Sequence, residues 1–202
     1  MSYTQIKSKK RVAEHGEVFT ADREVNAMLD LVSDEVKRLD STILEPACGE
    51  GAFILKIFDR KMDVINSYHW SGWTKEFFTL RIVSSIYGVD IQKDNVSICK
   101  RNLEQEVLNN FSAPSMNFSK MLREILDKNI ICGNTLTTMS TRKKPLVFSE
   151  WFFDADGVIS RRQYKYSELL ENNGEYNKNR RLIRYDLMKE QKESFSEDAV
   201  LA

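Results

Sequence analysis

The sequence predicts an α/β domain built on a parallel sheet. Three short apolar runs, at 42–46, 86–91 and 129–134, each end in an acidic or small polar residue, and stretches with helical spacing of apolar residues separate them. Strands that alternate with helices pack as a parallel sheet with right-handed crossovers. The carboxyl ends of parallel strands meet at one edge of a sheet, where ligands bind, so we expect the three terminal side chains to lie close together.

Composition narrows the class of protein. Thirty basic and thirty acidic residues balance in a chain of 202 residues, so no overall positive field is available for nucleic acid. The three cysteines (Cys48, Cys99 and Cys132) have no zinc spacing, so no metal site is predicted, and free thiols are expected. The sequence has no apolar run long enough to span a bilayer and no signal-peptide core, which predicts a cytoplasmic protein without membrane contact.

Apolar periodicity predicts the helices. Residues 21–39 carry apolar side chains at helical spacing, with Thr20 available as an N-cap and Asp22 in the first turn. Similar spacing predicts further helices over 52–60, 96–108 and 118–126.

Residues 62–85 contain an unusual density of aromatic side chains. They would suit a platform on which bases stack, but few basic residues accompany the rings. We therefore expect an amphipathic helical layer that packs on the sheet.

The pattern changes after Leu136. Residues 145–153 form an apolar run, and Gly157 followed by the alternating Val158, Tyr164 and Tyr166 predicts a β-hairpin that returns on it. The charged composition after residue 171 predicts a loosely ordered tail with one amphipathic helix through Leu182, Ile183 and Leu187. The basic clusters at 161–165 and 178–184 are candidate phosphate contacts, with a solvated face as the alternative. The predicted divisions are an N-terminal segment (1–20), an α/β domain (21–144), a hairpin extension (145–171) and a charged tail (172–202).

The first strand ends in a loop suited to a ligand. Glu45 places a carboxylate at the strand's end, and Pro46 ends the strand because it has no N–H to donate. Gly49 and Gly51 follow, and a glycine lets a ligand approach the backbone where a side chain would collide. The end of this strand is therefore the first candidate site.

The spacing argues against a dinucleotide. Ile54 stands where the third glycine of the dinucleotide fingerprint would be, and the next strand's acid, Asp90, lies much further along than that fingerprint requires. A nucleoside with a sulfonium group fits better: Glu45 would face the cation, Asp90 would accept the ribose hydroxyls, and Asn134 would accept from an adenine amino group. These properties describe S-adenosylmethionine.

Four segments together resemble a known family. They match, in order, motifs X, I, II and III of the adenine-specific DNA methyltransferases of restriction–modification systems, in the class in which motif X precedes motif I. The chain departs from that pattern at Ala21, where the family usually has proline, and at Asn134, where it usually has aspartate. The segments are Gly-Glu-Val-Phe-Thr at 16–20, Leu-Glu-Pro-Ala-Cys-Gly-Glu-Gly-Ala-Phe at 44–53, Tyr-Gly-Val-Asp-Ile at 87–91 and Ile-Cys-Gly-Asn-Thr-Leu at 131–136.

The resemblance implies a Rossmann-like, S-adenosylmethionine-dependent methyltransferase sheet and assigns cofactor-binding positions to it. Motif X is expected to help close the site over the methionine part of the cofactor. The implied cofactor-binding residues are Thr20, Glu45, Pro46, Ala47, Gly49, Gly51, Phe53, Asp90, Ile91, Asn134 and Leu136.

The family's catalytic motif, Asn/Asp/Ser-Pro-Pro-Tyr/Phe, is missing. The prolines stand at 46, 114 and 145, and none of them adjoin. Ser149, Trp151 and Phe152 fall at about the right distance after the third strand and are the candidates for an acceptor and a stacking ring. The alternative is a strand in which the rings of Trp151 and Phe152 are simply buried.

The resemblance also predicts an incomplete sheet. Roughly 50 residues follow Trp151, too few for the family's remaining strands and a target-recognition domain. The open sheet would be covered by the hairpin, by a second copy in a homodimer, or by a methyltransferase or specificity subunit. The favoured interpretation is a component of a DNA adenine-N6 methyltransferase that reaches DNA through a partner chain, which would supply the catalytic motif. The alternatives are a non-catalytic cofactor-binding or regulatory module and, less favoured, a methyltransferase for RNA or small molecules.

Overall fold

The computed structural model describes residues 11, 20–171 and 183–185. Within them the chain forms helices and two β-sheets. The elements, in chain order, are α1 (Asp22–Asp30), α2 (Ser33–Lys37), β1 (Ile43–Glu45), α3 (Ala52–Ser67), α4 (Gly72–Ser84), β2 (Ile86–Asp90), α5 (Lys93–Asn109), α6 (Met116–Asn129), β3 (Ile130–Asn134), β4 (Met139–Ser140), β5 (Val147–Phe153), β6 (Ile159–Lys165), α7 (Tyr166–Glu171) and β7 (Ile183–Tyr185).

The predicted parallel arrangement is confirmed for the first three strands. β1, β2 and β3 lie side by side in sequence order, with Leu44 opposite Tyr87 and Val89 opposite Ile131. The two-residue strand β4 pairs antiparallel with the end of β3, so the four-stranded sheet is mixed. Two residues are too few to leave an alternating apolar pattern, which explains why the sequence does not predict β4.

The two faces of this sheet have different covers. On one face, Ile86 and Ile130 join the main core with the helices. On the other face, Tyr87 and Val89 pack with Phe148 of the hairpin in a separate apolar cluster. The hairpin is thus one cover of the sheet, as the sequence suggested.

The prediction of one continuous helix over 21–39 is wrong, because the structure has two shorter helices there. The chain leaves the helical path at residues 31–32, and α2 begins afterwards with two acidic residues in its first turn. Acids in a first turn interact favourably with the helix dipole and favour a new start. The predicted N-cap at Thr20 is also wrong: Ala21 takes that position, without a side-chain cap.

A buried lysine fixes the entry to β1. The Lys61 ammonium on α3 donates to the carbonyl oxygens of Arg38 at 2.6 Å and Ser41 at 2.9 Å, and the side chain is fully buried. Desolvation lowers the pKa of Lys61 to about 8. These hydrogen bonds anchor the chain just before β1 to α3.

The aromatic segment is a helical layer, as predicted. Trp73 and Phe77 stack within α4 at 5.0 Å between ring centroids, and Phe77 meets Phe153 of β5 edge to face at 5.4 Å. Phe77 is buried in the main core, while Trp73 and Phe78 pack against it. These rings join the helices to the hairpin. Tyr68, which is 55% exposed, stacks on Trp70 at the edge of this layer, with ring centroids 4.5 Å apart.

The predicted hairpin is confirmed as β5 and β6, paired antiparallel around a turn in which Gly157 has φ of 80°. Strand β7 then pairs with β6. The amphipathic helix predicted in the tail is therefore wrong at Ile183, which lies in β7; Leu182 and Leu187 lie outside the described residues. Within the described ranges, no helix combines the length and apolar character needed to cross a bilayer.

Candidate functional site

The loop after β1 is tied to the end of β2. The backbone N–H of Gly49 donates to Asp90 Oδ2 at 2.9 Å, and the N–H of Cys48 donates to the carbonyl oxygen of Val89 at 2.8 Å. The predicted meeting of the first two strand ends is therefore present. Gly49 has φ of 52°, and a Cβ atom added there would find no atom within 4 Å, so the loop borders open space.

Two other glycines allow this loop to lie close to the sheet and helices. A Cβ atom on Gly88 would come within 2.6 Å of Ile54 Cδ1 and 3.1 Å of Cys48. Gly51 begins α3 with φ of 101°, and a Cβ atom there would lie 2.9 Å from Cys99 Sγ. A side chain at Gly88 would push the loop away from β2, and one at Gly51 would push it away from α5.

The half-buried carboxylate of Asp90 organises the strand ends. Besides Gly49, it accepts from the Gln92 N–H at 2.7 Å and from Asn95 Nδ2 at 3.3 Å. A carboxylate has about four acceptor positions, so these bonds leave room for about one more. Asp90 thus holds two loops together and still has room to accept about one more hydrogen bond.

Arg11 reaches the same end of the molecule, a contact that no feature of the sequence predicts. Its guanidinium donates to Asp94 at 2.7 Å and to Asn95 at 3.3 Å, at the start of α5. Arg11, Asn95 and Asp90 therefore form a chain of hydrogen bonds. Sequence separations of more than 80 residues, with no spacing rule between them, explain why this contact was missed.

Glu45 lies at the end of β1, half-buried, and its carboxylate accepts from the N–H of Ala47 at 3.1 Å. Desolvation raises the pKa of Glu45 above its usual range, and the Ala47 bond offsets this only partly. A carboxylate that burial penalises in this way would gain from a cation beside it.

The third strand end differs in detail from the prediction. Asn134 Oδ1 accepts from the N–H of Leu136 at 2.9 Å and of Thr137 at 3.3 Å, so the oxygen expected to meet an adenine amino group caps its own turn. Beside it, Thr135 Oγ1 donates to the Pro46 carbonyl oxygen at 3.4 Å, which connects the loops after β3 and β1. The three strand ends are thus in mutual contact.

The remaining predicted residues fall into two groups. Leu136 is 93% exposed and Ile91 is 43% exposed, so apolar side chains stand open next to the polar strand ends. Phe53 instead packs against the main core at the start of α3. Thr20 is exposed, and the rest of the segment that resembles motif X lies outside the described residues.

The catalytic candidates lie elsewhere. Trp151 Nε1 donates at 2.9 Å to Asn129 Oδ1, and Asn129 precedes β3, so this indole sits at the amino ends of the strands. Ser149 is buried, with Oγ 3.5 Å from Arg161, and its carbonyl oxygen accepts from the Tyr87 hydroxyl. The five-residue length of β3 separates its two ends by roughly 13 Å at the usual rise per residue.

The ring of Phe152 also has a partner, because the Arg162 guanidinium lies over it, 4.8 Å from the ring centroid. The structure therefore does not bring the three candidates to the edge where Asp90 and Glu45 meet.

The cysteines support the loop. Cys48 and Cys99 are buried, and a hydrogen bond with Cys99 together with burial raises the pKa of the Cys48 thiol far above its usual value. A neutral, buried thiol is poorly reactive. In the described part of the chain, no cluster of His, Cys, Asp and Glu side chains has the arrangement of a metal site.

Comparison of the chain with protein-family models finds no match, and comparison with curated proteins finds no significant match.

Proposed function

We propose that the carboxyl edge of β1, β2 and β3 binds S-adenosylmethionine in a Rossmann-like methyltransferase sheet. One observation carries the proposal: the loop containing Gly49 is held to Asp90 at 2.9 Å, so the glycine loop and the second strand's acid meet at one edge. Polar groups at the adjoining ends of parallel strands are the usual place for a nucleoside ligand. The desolvated carboxylate of Glu45 supports a ligand that carries a positive charge.

The residues present fit the parts of this cofactor. Glu45 would lie toward the sulfonium, the free acceptor position of Asp90 toward a ribose hydroxyl, and the open apolar side chains of Ile91 and Leu136 toward the adenine ring. The open space at Gly49 would admit the methionine part. When bound, the cofactor supplies a methyl group activated by its sulfonium; the protein's own residues bind and orient it.

The wider function follows from the motif resemblance. The protein would act in methylation of the adenine N6 amino group of DNA, together with a partner chain that holds the base. Trp151 lies at the amino ends of the strands, away from the candidate site. Among the described residues, the catalytic candidates therefore do not supply a hydrogen-bond acceptor and a stacking ring at that site, which supports the need for a partner.

A non-catalytic cofactor-binding or regulatory module is the second candidate. The specific observation in its favour is that Ser149 and Trp151 both make contacts that stabilise the hairpin, leaving no catalytic role for them at the strand ends.

Calorimetry with S-adenosylmethionine tests the site. We expect wild type to bind and Asp90→Ala to bind at least about tenfold more weakly, since it loses an acceptor and the brace to Gly49. Asp127→Ala is the matched control. Asp127 is an exposed acid of α6 that forms an ion pair with Lys100 of α5. Thermal unfolding of each variant, with Asp90→Asn as a milder change, separates loss of binding from loss of fold. No binding by wild type, or equal binding by wild type and Asp90→Ala, would exclude this site.

Transfer of a labelled methyl group to unmethylated DNA tests the wider function. The protein is assayed alone and mixed with the product of the neighbouring gene. Transfer only in the mixture supports the partner, transfer by the protein alone contradicts the need for one, and no transfer in either favours the non-catalytic module.

A further inference from the structure

The acceptor position that remains on Asp90 belongs to one of its two carboxylate oxygens. Oδ1 accepts from the N–H of Gln92 at 2.7 Å and from Asn95 Nδ2 at 3.3 Å, which fills its two acceptor positions. Oδ2 accepts from the N–H of Gly49 at 2.9 Å, and within the described part of the chain this leaves it one position. The bonds to Oδ1 therefore set the direction in which Oδ2 can meet the hydroxyl of a ligand.

The side-chain amide of Asn95 has two possible orientations toward this carboxylate. Asn95 is 1% exposed, so its amide oxygen and nitrogen both need partners inside the protein. If the oxygen faced Asp90, two acceptors would oppose each other and the carboxylate would have to rotate. A partner on the far side of the amide decides which of its two atoms faces Asp90.

Arg11 is such a partner. Its Nη2 donates to Asn95 Oδ1 at 3.3 Å. A guanidinium carries only donors, so the atom that it meets must be the amide oxygen, and the amide nitrogen is left to face Asp90. Asp94 holds the guanidinium in place with both carboxylate oxygens, one 2.7 Å from Nη1 and the other 3.3 Å from Nη2. The donors of Arg11 thus serve Asp94 and Asn95 together.

We propose that Arg11 is a positioning residue for a ligand that carries a ribose. Through Asn95, it holds the Asp90 carboxylate in the orientation in which Oδ2 accepts a ribose hydroxyl. This role rests on the proposed binding of S-adenosylmethionine at the same edge of the sheet. It adds a determinant of specificity, because selection of ribose over deoxyribose then depends on a residue that acts through two others.

Calorimetry with S-adenosylmethionine and with its 2′,3′-dideoxy analogue, which lacks both ribose hydroxyls, tests this role. We expect wild type to prefer the ribose form by about tenfold or more, because a hydrogen bond to a charged group is lost with the hydroxyl. Arg11→Gln should reduce that preference by about threefold or more. A merely structural role of Arg11 would weaken the binding of both ligands equally and leave their ratio unchanged.

Arg123→Gln is the matched control. Arg123 of α6 forms an ion pair at 2.7 Å with Glu104, which is another acid of α5. This substitution removes the same kind of side chain and a similar ion pair, so it should leave both affinities and their ratio as in wild type.

A double-mutant cycle tests the path through Asn95. Asn95→Ala should reduce the preference for ribose about as much as Arg11→Gln does. The double variant should lose no more than either single variant, because the two residues act as one unit. Thermal unfolding shows which variants are folded. Should Asn95→Ala fail to fold, the ratio measured for Arg11→Gln decides alone.

Three results would overturn the role of Arg11 and leave the proposed cofactor site standing. They are an unchanged preference in Arg11→Gln, additive effects of the two substitutions, and equal binding of both ligands by wild type. Failure of wild type to bind S-adenosylmethionine would overturn the cofactor site and the role of Arg11 together.

Discussion

The strand ends and the hairpin both hold polar groups in hydrogen bonds, but for different purposes. At the carboxyl edge, Glu45 and Asp90 are held by backbone N–H groups of glycine-containing loops, beside open space. In the hairpin, Ser149 and Trp151 are committed to partners in the body of the protein. A polar group that is fixed yet accessible suits ligand binding, while one that is fixed and buried suits stability.

This difference predicts separate consequences of substitution. Changes in the hairpin and at the amino ends of the strands should alter the free energy of unfolding and leave cofactor affinity unchanged. Changes at the carboxyl edge should alter affinity.

Trp151→Ala should have the largest effect on stability. It removes an indole packed against the main core and leaves Asn129 without its partner, so we expect a loss of about 3–4 kcal/mol in the free energy of unfolding. Urea unfolding measures this loss. Trp151→Phe keeps most of the packing and should lose about 1 kcal/mol. Calorimetry on whichever variant remains folded should show wild-type affinity for S-adenosylmethionine; a large loss of affinity would make Trp151 part of the site.

The buried Lys61 should make stability depend on pH. Its pKa is lowered to about 8 in the fold from an ordinary value of 10.5, so between these values the unfolded chain binds a proton that the folded chain does not. The contribution of Lys61 to the free energy of unfolding should therefore rise with pH across this window, by as much as about 3 kcal/mol, while the raised pKa of Cys48 contributes in the opposite sense. Below pH 8 both states are protonated and the rise is absent.

Lys61→Met isolates this contribution. Urea unfolding across the same window should show a more positive dependence on pH in wild type than in the variant. Cys48 and Tyr164, whose pKa values are raised in the fold, titrate in both proteins and cancel in the difference. Equal slopes would mean that the ammonium is not desolvated in the fold.

The sequence predicted the parallel strands because their apolar runs are short and end in Glu45, Asp90 and Asn134. It predicted the proximity of Glu45 and Asp90 for the same reason, since strand direction alone brings carboxyl ends together. It did not predict that Asp90 would brace Gly49 or that Asn134 would cap its own turn, because a side chain can serve a ligand or a nearby backbone N–H equally well.

The long-range contacts could not be predicted from the sequence. Nothing in its spacing connects Arg11 with Asn95, or Trp151 with Asn129. The break in the first helix was missed because apolar periodicity continues through residues 31–32 even though the chain departs from the helix there.

Gly51→Ala tests the loop on the ligand side of the comparison. At φ of 101°, alanine is strained, and its Cβ atom would lie 2.9 Å from Cys99 Sγ. We expect a loss of about 2 kcal/mol in the free energy of unfolding, together with weakened binding of S-adenosylmethionine. Gly72→Ala is the control: Gly72 also has a positive φ, of 53°, but an added Cβ atom there meets nothing within 4 Å. Its effect should be smaller and confined to stability.

The smallest expected effect, at Glu45, separates the two regions most directly. Burial raises the pKa of this carboxyl, so as pH falls Glu45 becomes neutral earlier than an ordinary glutamate. A bound cation favours the charged form, and affinity for S-adenosylmethionine should therefore weaken as pH falls through the raised pKa, levelling off about tenfold lower once Glu45 is neutral.

Glu45→Gln should bind about tenfold more weakly than wild type at pH 8, with a flatter dependence on pH. Calorimetry at several pH values measures both. Glu150→Gln, the matched change in the hairpin, should leave the affinity and its pH dependence as in wild type. If the two variants behaved alike, charge at the strand end would not be what holds the ligand, and the division between a binding edge and a structural hairpin would lose its electrostatic basis.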